Sequence, residues 1–402
     1  MQKASRQPEL ESQSSSTPVF SLFAELESIP DPRVERTKLH PLINILVMTL
    51  TAVVAGADDW VSIAEFGEAK QAWFARYLDL SNGIPAHDTF GRIFRLLDPK
   101  QLQRCFLAWV QSVAHLTQGE IVAIDGKQLC GSQDECNGRG ANHMVSAWAC
   151  ENRLVLGQVK VDDKSNELKA IPRLLELLDL HGCVVTVDAA GSFAEVATAV
   201  HAQGADWVLP LKENQPLLHQ AVKAYFDGVA DHTLPPTLQT PPPQIVRTFT
   251  AAHGRTETRS HWMTEDVGWL AATTGKPLWP GLRSIAMVRR QRQQGTNKPS
   301  DETTYYLTSL AGATQADVER FAAVVRSHWC VENQLHWVLD VAFNEDHNRS
   351  RCDHSAHNLA LVHHLALNLL KQQTSRKIGI KNRRLRVGWD TDYLAKVIFS
   401  TQ

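Results

Sequence analysis

The sequence predicts an α/β fold: a mixed-sheet domain preceded by helices and interrupted by a mostly β insertion. Three observations predict it. Apolar residues recur at three- and four-residue spacing from Val19 to about His115. From residue 119, short apolar strand-like runs alternate with helical ones. After residue 213 that rhythm breaks, and proline-rich then alternating segments follow.

The helical region is punctuated by Pro30, Pro32 and the 81–85 stretch. Its apolar periods fall in Phe20–Leu26, Leu42–Val54 and Ile63–Tyr77. Residues 86–97 form an amphipathic helix with His87 and Asp88 as candidate caps and Arg92 and Arg95 on one side. Next, GEIVAIDGK reads as a strand ending in Asp125, and 143–150 with 153–161 as a hairpin. Residues 165–180 read as a helix capped by Ser165 or Asn166. CVVTVDAAG is a strand ending in Asp188, 193–204 a helix, and DWVLPLK a strand. The expected domain limits are a disordered leader at 1–18, a helical region at 19–117, and an α/β domain at 118–212 and 313–372. The β-rich insertion spans 213–312, and a basic C-terminal tail spans 373–402.

Composition narrows the class. The 402 residues carry 41 Lys plus Arg against 43 Asp plus Glu, with 43% hydrophobic and 21% charged residues, which excludes a chain disordered throughout. Seven cysteines without a Cys-x-x-Cys pair argue for reduced thiols in a cytoplasmic protein. The start is polar and Ser-rich, and the most apolar window, 42–56, is shorter than the ~20 residues that cross a bilayer as a helix.

Asp125 and Asp188 each end an apolar strand, where an unpaired buried carboxylate is costly unless it meets water or a cation. Either one alone reads first as a turn or cap residue. Two in this strand order, with a third acid downstream, read as a cation site. That third acid is Glu332, in RSHWCVENQLHWVLDVAFNED. At four-residue spacing His328, Glu332, His336 and Asp340 share a helix stripe, while Trp329 and Trp337 lie on an adjacent stripe expected to bury. Hard oxygen donors select Mg²⁺ or Mn²⁺.

The runs VAIDGK, KSNELKAIP, TVDAAG, PLKENQ and HWCVENQLHWVLDVAFNED occur in this order. Together they closely resemble the H-repeat-associated (ISAs-type) bacterial insertion-sequence transposases, a branch of the DDE superfamily. The resemblance runs from IPDPR near residue 30 to DYLA at 392–395. It implies a ribonuclease H-like catalytic domain in which Asp125, Asp188 and Glu332 are the catalytic acids and metal ligands. It also implies two Mg²⁺ or Mn²⁺ ions, cleavage at the terminal inverted repeats, 3′-OH transfer into target DNA, and a homodimer that joins two element ends. The broader hairpin-forming group carries Tyr, Arg and Lys around its Glu, where this chain has Val325, His328 and Leu339. The phosphate contacts of that Arg and Lys therefore fall elsewhere here.

Candidate DNA contacts are Lys127, Lys212, Asn214 and Gln215 beyond the strand ends, with His328 and His336 beside the acid. For the two lysines, plain solvation is an equally ready reading. Arg92 and Arg95 are candidates for end recognition, and Arg383 and Arg384 belong to a run of seven basic residues without an acid between Lys371 and Trp389. Two other functions stay open. One is a zinc hydrolase built on the seven histidines of 328–364, although HExxH is absent. The other is a DNA-binding relative that keeps the fold without activity.

Overall fold

The computed structural model describes residues 18–133, 140–161, 167–235, 238, 242–252, 254–295 and 298–399. Residues 1–17 of the expected 1–18 leader and the Ser165 or Asn166 cap lie outside the described residues, and Pro18 already belongs to the first helix. The chain opens with helices α1 (Pro18–Glu27), α2 (Leu42–Val54), α3 (Trp60–Ala69), α4 (Gln71–Phe74), α5 (His87–Leu96) and α6 (Pro99–Val113). Almost every residue of α2 is buried, as its all-round apolarity requires of a helix surrounded by others. At the start of α5 neither His87 nor Asp88 caps; Ala86 holds the N-cap position without a side-chain bond.

Strands β1 (Ile121–Leu129), β2 (Asn142–Ala149) and β3 (Leu154–Lys160) come next, then α7 (Glu167–Leu175), β4 (Val184–Val187), α8 (Ala194–Ala202) and β5 (Asp206–Leu211). β1 runs in parallel with β4, and β4 with β5, while β2 and β3 are antiparallel. The order β3-β2-β1-β4-β5 is that of a ribonuclease H-like sheet. β1 does not end at Asp125. It continues five residues, Asp125–Leu129, along the β2 partner after β4 has stopped, so Asp125 sits where the parallel ladder ends and the antiparallel one goes on.

The segment read as an insertion begins with a helix, α9 (Pro216–Ala230), and contains α10 (Trp269–Thr274). Its strands β6 (Gln244–Ala252), β7 (Arg255–Thr264), β8 (Ser284–Gln294) and β9 (Ser300–Thr308) prolong the same sheet. β9 pairs with β5, which gives nine described strands in the order β3-β2-β1-β4-β5-β9-β8-β7-β6. The strands therefore share one ladder with the catalytic sheet.

Side chains alternate across a strand, so the sheet has two cores. Val122, Ile124, Val185, Val187, Trp207 and Leu209 join the larger one. Ile121, Val184 and Val208 face the other way, under α11 (Gln315–Ser327), with Val318, Phe321 and Val324 packed on them. Helical winding continues from Cys330 through a π turn, Glu332–His336, into α12 (Trp337–Phe343). Beyond it, α13 (Ser355–Gln372) is buried along most of its length, and its Asn368 side chain bonds both backbone groups of Val155 at 2.9 Å.

The basic tail is a correction. Residues 380–399 fold into α14 (Ile380–Trp389) and α15 (Thr391–Phe399), which pack back on the first helices. Val387, Tyr393, Leu394, Val397 and Ile398 are buried, which a solvated tail has no means to do. Among the described residues no helix is long and apolar enough to cross a membrane.

Candidate active site

Register alone brings two acids together. Ile124 of β1 is the Cα partner of Val187 of β4, so Asp125 and Asp188 are the next residues on adjacent strands, whose separation is about 4.8 Å. Both lie on the face that carries Thr186 and α11, because residues two apart share a face. The Asp188 Oδ1 accepts the Gly191 N–H at 2.8 Å, and the Asp125 Oδ1 accepts the Gly126 N–H at 2.9 Å.

The helical segment after α11 crosses this face, and its stripe meets the sheet point by point. His328 Nδ1 lies 2.5 Å from the Thr186 Oγ1 on β4. Eight residues on, His336 Nδ1 lies 3.5 Å from the Asp125 Oδ2 on β1. Glu332 is midway, and it borders the same cavity of about 330 Å³ as Asp125 and Asp188. The π turn serves this alignment. Four residues of ordinary helix overshoot a full turn by about 40°, and the wider π turn winds less per residue, cancelling the drift. Val331, Leu335, Leu339 and Phe343 form the opposite, buried stripe.

Burial sets the charge state of the histidines. His328 is pushed below the ordinary histidine value by desolvation, against the pull of Asp188. His336 falls to about 4, by desolvation first and then by the nearby Lys127 charge. Near neutral pH both are uncharged, so the expected phosphate contacts from His328 and His336 are corrected: they hold Thr186 and Asp125.

Lys127 is a second correction. Its ammonium is buried and paired with Asp340, with Glu345 at 2.9 Å and with Asp346 at 3.4 Å. Burial alone would lower its pKa, but Glu345 and Asp340 raise it well above the lysine range. Burial would raise Glu345, yet a 3.0 Å bond from His363 and the Lys127 charge hold it well below the carboxylate range. Lys127 therefore has no donor left for phosphate. It anchors β1 to the far end of α12.

Arg384 is likewise internal. It donates to the carbonyls of Val53 and Ala342 and to Asp58 at 2.8 Å, and lies 4.2 Å over the Phe343 ring. Arg383 closes the α13–α14 turn through the carbonyls of Leu370, Gln373, Arg376 and Ile378. Neither presents a free fork to DNA. Asn214 donates to the Ala189 carbonyl at 3.0 Å, steadying the loop after Asp188. Gln215 occupies the N-cap of α9, where its backbone N–H donates to Lys212 O at 3.0 Å and its carbonyl accepts the His219 N–H at 2.9 Å. Lys212 is exposed and borders the cavity, whereas Arg92 and Arg95 border a separate groove.

Sequence reasoning missed Arg259, Arg290 and Trp329 at the cavity. Arg259 of β7 and Arg290 of β8 are direct cross-strand partners, an arrangement of like charges that costs energy unless acids or a ligand anion offset it. Glu257 lies 2.7 Å from Arg259, and Glu302 pairs with Arg290. The cluster of basic residues at 283–298 was the available signal, but only register gives the pairing. Trp329 and Trp337, expected to bury, are 52% and 61% exposed, because the buried stripe is the aliphatic one.

Whether hard cations fit can be judged from the donors. The cavity is lined by four acidic residues, Asp125, Asp188, Glu332 and the Arg290-paired Glu302, and by no thiolate, which suits Mg²⁺ or Mn²⁺ chemistry. Among the described residues no group of three or more His, Cys, Asp and Glu is already drawn together as a ligand set, the 328–364 histidines included. The described cysteines are free.

The extended ribonuclease H-like sheet, together with the family that the chain matches, defines the class as a DNA-processing enzyme. The chain belongs to the transposase DDE domain family: that family's model matches residues 116–369, and the DDE_Tnp_1-associated model matches 23–110. DDE transposases generally use divalent metals. The chain is 37% identical to "Putative transposase YncI" of Escherichia coli O157:H7, covering 95% of each chain. It is 33% identical to "H repeat-associated putative transposase YhhI" of Escherichia coli K12, over 94% of this chain and 97% of that one. A 72-residue match at 39% identity, 18% of this chain and 86% of the other, is to "Inactive transposase YbfQ" of the same strain. The solved structure titled "Cryo-EM structure of piggyBac transposase synaptic complex with hairpin DNA (SNHP)" aligns over 99% of this chain and 85% of that one, with 10% identity and a TM-score of 0.40, too low to carry an argument.

Proposed function

We propose that this chain cleaves DNA strands at the ends of an insertion sequence and transfers the freed 3′-OH into target DNA. In the first step the oxygen of a water forms a new bond to phosphorus, the P–O3′ bond breaks, and the 3′-oxygen leaves as a hydroxyl. In the second, that 3′-OH forms the new ester at a target phosphate and displaces the target's own 3′-OH.

Asp125, Asp188 and Glu332 are the residues that would hold two Mg²⁺ or Mn²⁺ ions. Bound there, such ions activate the attacking oxygen and stabilise the leaving one. The chain's other groups position. His336 orients the Asp125 carboxylate, and the His328–Thr186 contact fixes the helix from which Glu332 projects. Lys212, Arg259 and Arg290 border the cavity where the phosphate's negative charge would lie. A second copy of the chain, holding the other element end, is the partner such joining requires.

The observation that carries the reading is the shared cavity of the three acids, with their strand register beneath it. The test is cleavage of labelled element-end DNA with Mn²⁺ by the wild type and by Asp188→Ala. Cleavage by the wild type alone is expected; equal cleavage by both overturns it.

A further inference from the structure

A second groove, of about 840 Å³, lies between the helical region and the loop after α12. Its walls carry Arg92 and Arg95 of α5 and Arg349 and Arg351 of the loop, all exposed. Among its acids, Asp58 accepts from Arg384, Asp59 caps the Ser62 N–H at 2.8 Å, and the exposed Asp88 lies 3.3 Å from His87. Arg95 lies 3.3 Å from Asp353 and Arg92 donates to the Thr89 hydroxyl at 3.4 Å, but among the described residues neither Arg92 nor Arg349 has a carboxylate partner. The groove therefore presents guanidiniums without carboxylate partners, of the kind that match phosphate oxygens.

It is also preformed. Arg351 Nε donates to the Gly131 carbonyl at 3.0 Å, and Asn348 Nδ2 to the Asp58 carbonyl at 2.8 Å. The loop runs so close to Gly131 that a Cβ there would meet the Asn348 oxygen at 2.2 Å. Across the groove, the buried Asn358 Nδ2 donates to the carbonyls of Phe94 and Leu97 at 2.9 and 2.8 Å, tying α13 to the end of α5.

Its position is set by the helix that carries Glu332. Twelve residues of helix separate Glu332, at the cavity, from Asn344, at the groove, or roughly 18 Å at 1.5 Å per residue. Along one DNA strand, with about 3.4 Å per phosphate, that span is about five nucleotides.

We infer that this groove binds the sugar–phosphate backbone of duplex DNA about five nucleotides from the strand end at the carboxylates, with Arg92 and Arg349 as its phosphate contacts. The inference rests on the proposed DNA cleavage, because it supplies the grip that keeps the duplex in register. The contact is to phosphate, so it is independent of base sequence.

The test avoids cleavage by omitting divalent metal. Binding of a labelled duplex of about 30 base pairs is followed against salt for the wild type and for the Arg92→Ala/Arg349→Ala double variant. Each lost phosphate contact lowers the slope of log K against log salt by about 0.9, so the double variant's slope falls by about 1.8, with roughly 50-fold weaker binding at about 0.1 M salt. An unchanged slope overturns the inference while leaving the cleavage reading to its own Asp188→Ala test.

Cys352, exposed on the groove wall, gives a readout in the unaltered protein should the variant fold poorly. Saturating duplex is expected to slow its alkylation by iodoacetamide at least tenfold. Equal rates with and without duplex overturn the inference. Protection by polyglutamate but not by duplex also overturns it and makes the groove a protein dock.

Discussion

Asp125 and Lys127 are two residues apart on one strand and one face, yet they belong to opposite kinds of environment. Around Asp125, acids of four different elements border an open cavity, with Glu332 exposed. Around Lys127, charges of both signs are packed together: Asp340, Glu345 and Asp346, with His363 behind Glu345. Both clusters are spanned by one helical segment, which meets β1 at each. The difference separates two uses of charge. The buried cluster fixes where the segment sits; the open one gathers acids at a cavity that solvent and a ligand can enter.

The largest effect should come from the open cluster. Asp188→Ala is expected to lower cleavage by about three orders of magnitude, several kcal/mol of transition-state stabilisation, and to leave the melting temperature nearly unchanged. A large drop in melting temperature would show that Asp188 is structural and would erase the contrast. Lys127→Met should reverse the pattern. It strands Glu345 in the core and should cost about 3–5 kcal/mol of stability, measured by urea denaturation. If stability holds while cleavage fails, Lys127 belongs to the open cluster after all.

Acid should weaken the buried side. His336 and His357 have folded-state values of about 4 and His364 of about 3, against an ordinary 6.5, so the unfolded chain takes up more protons as pH falls from about 6.5 toward 4. Stability therefore declines across that window. Glu345 adds to the loss below about 4.5, because its depressed carboxyl contributes only while ionised. Thermal melts from pH 7 to 4 check this, and a flat profile would mean that these histidines are not buried neutral. The smallest effect is expected at Trp337→Ala, within about 0.5 kcal/mol for an exposed side chain, where the neighbouring Leu335→Ala should cost about 2–5 kcal/mol.

Much of this was legible in the sequence. The strand and helix order from β1 to β5 follows from apolar periodicity, and the four-residue spacing from His328 to Asp340 predicted the stripe that meets the sheet. What failed did so for one reason: a residue's type does not say what its neighbours already occupy. Lys127, Lys212, Arg383 and Arg384 read alike as basic residues near functional or basic segments, but only Lys212 is exposed on the cavity. The other three carry partners 5 to 331 residues away in sequence. The joining of β9 to β5 was invisible for a similar reason, since edge pairing depends on which strand lacks a neighbour. Trp329 and Trp337 misled because aromatic bulk suggests a core when the adjoining Val331, Leu335 and Leu339 already fill it.

The π turn at Glu332–His336 also restricts how this chain can change length. Such a turn is one residue more than an ordinary helix needs, and a single deletion there would restore regular winding at no cost to the backbone. The phase downstream would change little, since five residues of π turn and four of ordinary helix each make just over one turn. What would change is the spacing inside the turn, where Glu332 and His336 lie toward the sheet. The extra residue thus sets these two groups on one face without moving Asp340 from Lys127 or Asn344 from the groove wall.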